Sequence, residues 1–195
     1  VTLNLKGKDK TGLLEYLSGN YQTALSHFDQ VMENSQLFHE PIFLNLAGVC
    51  FFRGNSQYFL RNLPTSIQEF SKSIEIYPEF QDAYINRGSV YLEMKQYSSA
   101  LQDFNKAIEI DSTSALAYTN RANIYYLQNQ LQDAFADVNR AIEIDPNFLL
   151  AYENRGALFA NLGEYKSAIS DFEKALEISP SNFRVYNNLE LVYTN

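Results

Sequence analysis

The hexapeptide AYINRG (Ala83–Gly88) returns as AYTNRA at Ala117–Ala122, as AYENRG at Ala151–Gly156 and more faintly as VYNNLE at Val185–Glu190. Successive copies start 34 residues apart. A fixed period of this length constrains the fold more than any single motif. A unit this small cannot bury its apolar face alone and must stack on its neighbours. In register the units run 81–114, 115–148 and 149–182. Each opens with a helix-period segment such as AYINRGSVYLEMK and breaks at KQ, NQ or GE. Each then continues through a second segment such as YSSALQDFNKAIEI and closes on DS, DP or SP. In the second segments Ala100, Phe104, Ala107 and Ile108 fall at helical spacing, as do Ala134, Val138, Ala141 and Ile142, and Ala168, Phe172, Ala175 and Leu176. Pro146 and Pro180 stop their helices. Each unit is therefore a helix–turn–helix.

Counting positions from the start of each unit, the aromatic or large residues at 4, 11, 17 and 24, the small ones at 8, 20 and 27 and the proline at 32 resemble the tetratricopeptide repeat (TPR) family. The unit at 81 supplies Tyr84, Gly88, Tyr91, Tyr97, Ala100, Phe104 and Ala107, with Ser112 in the place of the proline. The next supplies Tyr118, Ala122, Tyr125, Leu131, Ala134, Val138, Ala141 and Pro146, and the third Tyr152, Gly156, Phe159, Tyr165, Ala168, Phe172, Ala175 and Pro180. Small residues let helix backbones approach, and the aromatics fill the space between layers. Gly88 inside a helix costs about 1 kcal/mol against Ala, so close packing is the expected reason for it.

Upstream the pattern loosens. GNYQTALSHFDQVMEN reads as a second helix with Tyr21, Ala24, Phe28 and Val31 in place. Its first helix, over Leu3–Leu17, has Gly12 at the small position but Lys8 and Glu15 at aromatic ones. PIFLNLAGVCFF reads as the next first helix, with Phe43, Ala47 and Cys50 in register, and TSIQEFSKSIEIYP as its second. That placement leaves excess chain between the two helices, read as an insertion at 54–64. Gly54, Asn55 and Ser56 favour a loop there over a longer helix. At the far end, Glu190 stands where other units have Gly or Ala, which suggests a terminal capping helix. The expected fold is an all-α, right-handed solenoid: a degenerate repeat at 3–38, a repeat with an insertion at 40–80, three regular repeats and a cap at 183–195, forming one domain.

Composition narrows function mainly by exclusion. The formal charge is −8, which disfavours nucleic acid and gives no reason to expect an anionic membrane surface. No apolar run reaches the roughly 18–20 residues of a membrane span, and the start, VTLNLKGKDK, lacks the apolar centre of a secretory signal. Cys50 is the single cysteine, so a reducing, cytoplasmic compartment is expected. His27 and His39 have no ligands at metal spacing, and no phosphate loop, dinucleotide fingerprint or nucleophile elbow is present. No enzyme, metal or cofactor is indicated.

The recurrent asparagine is the candidate site. At position 6 the reading places Asn45, Asn86, Asn120, Asn154 and Asn188. Asn is a mediocre helix former, and its amide offers both a donor and an acceptor. The resemblance implies that first helices line a concave groove, where one Asn per repeat would hold the backbone of an extended peptide. The alternative is that these amides bond neighbouring first helices to each other. In the peptide-binding reading Thr119, Asn123, Tyr126 and Glu153 tune side-chain selectivity. The family's clamp for chaperone C-terminal carboxylates needs basic residues that are absent here, and Glu153 would repel a carboxylate. Arg87, Arg121 and Arg155 at position 7 are expected to pair with Asp103, Asp137 and Asp171 at position 23. The function expected is a peptide-binding interaction scaffold. Two alternatives stay open: an assembly module that joins a complex or self-associates, and the TPR part of a larger protein that presents substrates.

Overall fold

The computed structural model describes the backbone of residues 8–35 and 43–194 and the side chains of residues 10–33 and 46–194. Eleven helices are found among them: α1 (Lys8–Leu17), α2 (Tyr21–Ser35), α3 (Phe43–Phe59), α4 (Leu63–Ile76), α5 (Gln81–Glu93), α6 (Tyr97–Ile110), α7 (Ala115–Leu127), α8 (Leu131–Ile144), α9 (Leu149–Asn161), α10 (Tyr165–Ile178) and α11 (Phe183–Tyr193). Odd-numbered helices are the first of each pair, even-numbered ones the second, and α11 stands without a second. The fold is an all-α solenoid of paired helices. By compactness the chain falls into two units, Val1–Lys106 and Ala107–Asn195.

Each pair is closed by the same turn. Gly19, Arg61, Lys95, Asn129 and Gly163 all adopt positive φ, between 59° and 80°. After α5, the Lys95 N–H bonds to the Leu92 carbonyl at 2.9 Å and the Gln96 N–H to the Tyr91 carbonyl at 2.8 Å. That is the Schellman arrangement, which satisfies the last carbonyls of a helix. It recurs after α3, where the Arg61 N–H reaches the Tyr58 carbonyl and the Asn62 N–H the Gln57 carbonyl. Three of the five turns use a residue with a Cβ in the left-handed region, at a cost glycine avoids.

Inside four of the five pairs a bare stretch of first helix receives a ring from the second. A Cβ built on Gly88 would lie 2.8 Å from Phe104 Cε1; on Gly54, 2.7 Å from Phe70; on Gly156, 2.6 Å from Phe172; on Gly12, 2.7 Å from Phe28. Those four phenylalanines are fully buried, and each contributes about 1.5–3 kcal/mol by burial. The fifth pair has Ala122 opposite the smaller Val138, and both are buried.

These contacts correct the register of the second repeat. Gly54 meets Phe70 over the same 16-residue separation as Gly88 and Phe104, so Gly54 holds position 8 and the unit runs 47–80. No insertion exists at 54–64: α3 continues to Phe59 and a short turn leads into α4. The extra residues fall earlier, since Gly12 and Gly54 are 42 positions apart, eight beyond one period. Half of that excess is a longer start to α3, which begins four residues before Ala47; residues 36–42 lie outside the described residues, as do Leu3–Gly7 of the expected first helix and His39. Position 6 of this repeat is Phe52, not Asn45. Position 7 is Arg53, not Leu46.

In the first unit α1 packs on α2 and α3, and α3 on α2, α4 and α5; in the second, α9 packs on α7, α8, α10 and α11. First helices of consecutive repeats thus touch within each unit.

Candidate functional site

Position 7 carries an arginine that ties repeats together. Arg87 grips Asp103 with two bonds, Nε to Oδ2 at 2.9 Å and Nη2 to Oδ1 at 2.7 Å, and its Nη1 donates to Ser71 Oγ on α4 at 2.8 Å. Arg155 does the same with Asp171, at 2.8 Å twice, and with Asn139 on α8 at 2.7 Å. Arg121 grips Asp137 at 2.7 Å twice. Arg53 Nε lies 2.8 Å from Glu69 Oε2, and its Nη1 donates to Asp29 on α2. The guanidiniums of Arg87, Arg121 and Arg155 lie near aromatics of their own helices, as Arg121 does at 5.4 Å from the Tyr118 centroid. The bond to Asp137, opposed by burial, raises Arg121 above the ordinary guanidinium value. Burial pushes the Asp103 carboxyl up against the lowering effect of Arg87. These contacts, most of them part-buried, join helix to helix, a structural use of the arginines.

The face formed by the first helices is different. On α5, half-buried Asn86 donates from Nδ2 to Asn55 Oδ1 on α3 at 2.8 Å. Position 6 of one repeat thereby meets position 9 of the repeat before. Beside this pair is a cavity of about 260 Å³ lined by Tyr16, Asn55, Tyr58, Phe59, Phe70, Asn86, Ser89 and Val90. Burial first, then the nearby Glu93 carboxylate, raises the Tyr58 phenol above its usual value. Glu93 also takes Arg61 at 2.6 Å.

In the second unit, Asn123 is exposed, while Asn120 and Asn154 are half-buried on α7 and α9, and Asn188 on α11. Tyr126 is half-buried and its hydroxyl accepts from Asn161 on α9. Thr119 is fully buried, its hydroxyl donating to the Ala115 carbonyl at 2.8 Å. Glu153 is only 5% exposed. It accepts from Asn182 Nδ2, whose own Oδ1 caps α11 by accepting from the Arg184 N–H at 3.0 Å. Thr119 and Glu153 therefore sit between helices, whereas Asn123, Tyr126 and Asn154 reach the surface. Asn45 lies on α3, seven residues before the position assigned to it, and its side chain is outside the described residues.

The misplaced register set Asn55, Tyr58 and Phe59 in a loop, where Tyr58–Leu60 reads as an apolar stretch folded back on the adjacent repeats or, if exposed, as a second partner contact. Carrying the 34-residue period back from Arg87-Gly88 to Arg53-Gly54 would have found these three. Among the described residues no cluster of three or more His, Cys, Asp or Glu is placed to hold a metal, and no helix is long and apolar enough to cross a membrane.

Three family models, one described as TPR repeat and two as tetratricopeptide repeat, match residues 88–129, 122–186 and 69–102. The chain belongs to the tetratricopeptide repeat family. Solved TPR structures share its fold. A thermophilic TPR protein of Thermus thermophilus is 15% identical, covering 96% of this chain and 98% of that one, with a TM-score of 0.76. YrrB, a TPR protein with an unusual peptide-binding site, is 19% identical over 92% of this chain and 89% of its own, with a TM-score of 0.67. The first TPR of Spaghetti (RPAP3), bound to the HSP90 peptide SRMEEVD, is 27% identical over 58% of this chain and 90% of its own, with a TM-score of 0.55. No curated protein matches the sequence.

Proposed function

We propose that this TPR chain is a non-catalytic interaction scaffold that holds an extended segment of another protein along the faces of its first helices. The observation that carries the reading is the Asn55–Asn86 amide pair beside the cavity. Each amide brings both a donor and an acceptor. Their mutual bond uses an N–H of Asn86 and the oxygen of Asn55, which leaves the Asn86 oxygen and the Asn55 N–H to meet the N–H and C=O of a peptide. Within the second unit Asn120, Asn154 and Asn188 hold the same repeat position as Asn86, and Asn123 and Tyr126 would supply side-chain contacts there. The peptide sites of YrrB and of the RPAP3 domain support a peptide as the kind of ligand. An acidic tail such as SRMEEVD is disfavoured here by the charge of −8, which favours a neutral or basic segment and disfavours nucleic acid.

The test is selection from a random-peptide display library on the wild type and on the triple variant Asn86→Ala, Asn120→Ala, Asn154→Ala, with helicity matched. Peptides retained by the wild type and lost by the variant support backbone capture. Equal retention by both assigns the asparagines to helix–helix bonding and sinks the mechanism. Concentration-dependent mass in sedimentation, with no peptide selected, would favour an assembly role instead.

A further inference from the structure

The cavity between α1, α3 and α5 has a chemistry of its own. The rings of Tyr16, Tyr58 and Phe59 line it together with the amides of Asn55 and Asn86 and the hydroxyl of Ser89. No carboxylate, ammonium or guanidinium is among the lining residues. A charged side chain entering it would shed water without finding a counter-ion, which is costly. A neutral apolar one would gain from the same desolvation. The aromatic walls are already set. Tyr58 lies edge-on to Phe59 with centroids 5.6 Å apart; Phe59, half exposed, stacks on Tyr21 with centroids 4.6 Å apart; Tyr16 lies 5.3 Å from the Phe52 ring. A site that needs no ordering spends little of its binding energy on entropy. The Ser89 hydroxyl donates to the Ile85 carbonyl at 2.8 Å, so its proton is directed into its own helix. The pairing of aromatics at positions 12 and 13 belongs to this repeat: the equivalent residues are Leu92 and Glu93, Tyr126 and Leu127, and Ala160 and Asn161 in the next three.

We propose that this cavity is a specificity subsite taking one bulky neutral side chain, of the Phe or Leu kind, from an extended partner segment, while Asn55 and Asn86 hold the adjoining peptide group. This rests on the peptide-scaffold reading and adds what the scaffold selects.

Two measurements on the full chain test it. In peptides enriched from a random display library, Phe, Tyr, Leu or Ile is expected at one fixed position. Alanine there should weaken binding about tenfold or more, and so should Ser89→Phe, which projects a ring into the cavity. If Ser89→Phe loses helicity, Phe59→Ser on the half-exposed ring replaces it. Peptides that bind the occluded variant as tightly as the wild type overturn the subsite and leave the scaffold reading intact. Enrichment of Lys or Arg at that position overturns it as well, in favour of an aromatic cage for a cation. Independently of any selected peptide, N-acetyl-phenylalanine methylamide should shift the side-chain amide NMR signals of Asn55 and Asn86 at concentrations where the lysine and alanine analogues do not. If no peptide is enriched, the scaffold reading fails by itself. If the phenylalanine probe also leaves those signals unmoved, the subsite fails too.

Discussion

Cys50 is fully buried at position 4 of its repeat, and burial, then the nearby Glu69 carboxylate, pushes its thiol up to about 11. The thiolate is the reactive form, so at pH 8 a disulfide reagent should modify the native protein at least about 1,000-fold more slowly than the urea-unfolded chain. Fast labelling without unfolding would contradict the burial. Asp111 presents the opposite case at the surface. Its carboxylate accepts from the Thr113 hydroxyl at 2.6 Å and from the Thr113 N–H at 2.8 Å, and these bonds hold it below the usual Asp value. A depressed carboxylate adds stability above its unfolded value and loses it as pH falls through its folded value. The stability of the wild type relative to Asp111→Asn should therefore be constant above about pH 5 and shrink below the ordinary Asp range near 4. Thermal unfolding between pH 2 and 7 reads this directly, and a gap that widens in acid would refute it.

The helix pair is built around one size match, Gly against Phe or Ala against Val. In an open helix Gly88→Ala would gain about 1 kcal/mol. Here the new methyl meets a fully buried ring, and overpacking of this kind costs about 1–3 kcal/mol. Urea denaturation should show the helix gain cancelled or outweighed, with a net loss of about 0–2 kcal/mol for Gly88→Ala. Adding Phe104→Val to Gly88→Ala should cost less than the sum of the two single changes, because the pair then copies Ala122 and Val138. Strict additivity would mean that the two positions do not share the space the structure gives them.

Arg87 joins three helices of the first unit, bonding Asp103 on α6 and Ser71 on α4 from its place on α5. Replacing it with Ala strands Asp103, which is only 4% exposed, and should cost about 2–4 kcal/mol. Replacing both charges, as Arg87→Met with Asp103→Leu, should come within about 1 kcal/mol of the wild type, since a buried pair offers little over well-packed apolar groups. A stacked-repeat chain is held by nearest-neighbour interfaces. The Arg87→Ala unfolding curve should therefore also broaden, with a lower denaturant slope. An unchanged slope would place the coupling elsewhere.

The 34-residue period, the helix pairs, the Gly88, Gly156 and Gly12 positions and the arginine–aspartate pairing were all written in the sequence, because each depends on spacing along one helix or between two adjacent ones. The register of the second repeat was not. Phe43, Ala47 and Cys50 imitate positions 4, 8 and 11 seven residues too early. Seven residues are about two helical turns, so such a slip rotates the pattern by only ~20° and leaves the apolar stripe facing the same way. Periodicity cannot detect that slip; the contact of Gly54 with Phe70 can, because a ring fits only against a bare backbone. That one contact moves the extra residues upstream, turns the expected loop into the last turns of α3, and brings Asn55, Tyr58 and Phe59 beside Asn86. The residue types of the proposed binding face were legible in advance, whereas the company they keep depended on how helices distant in sequence pack.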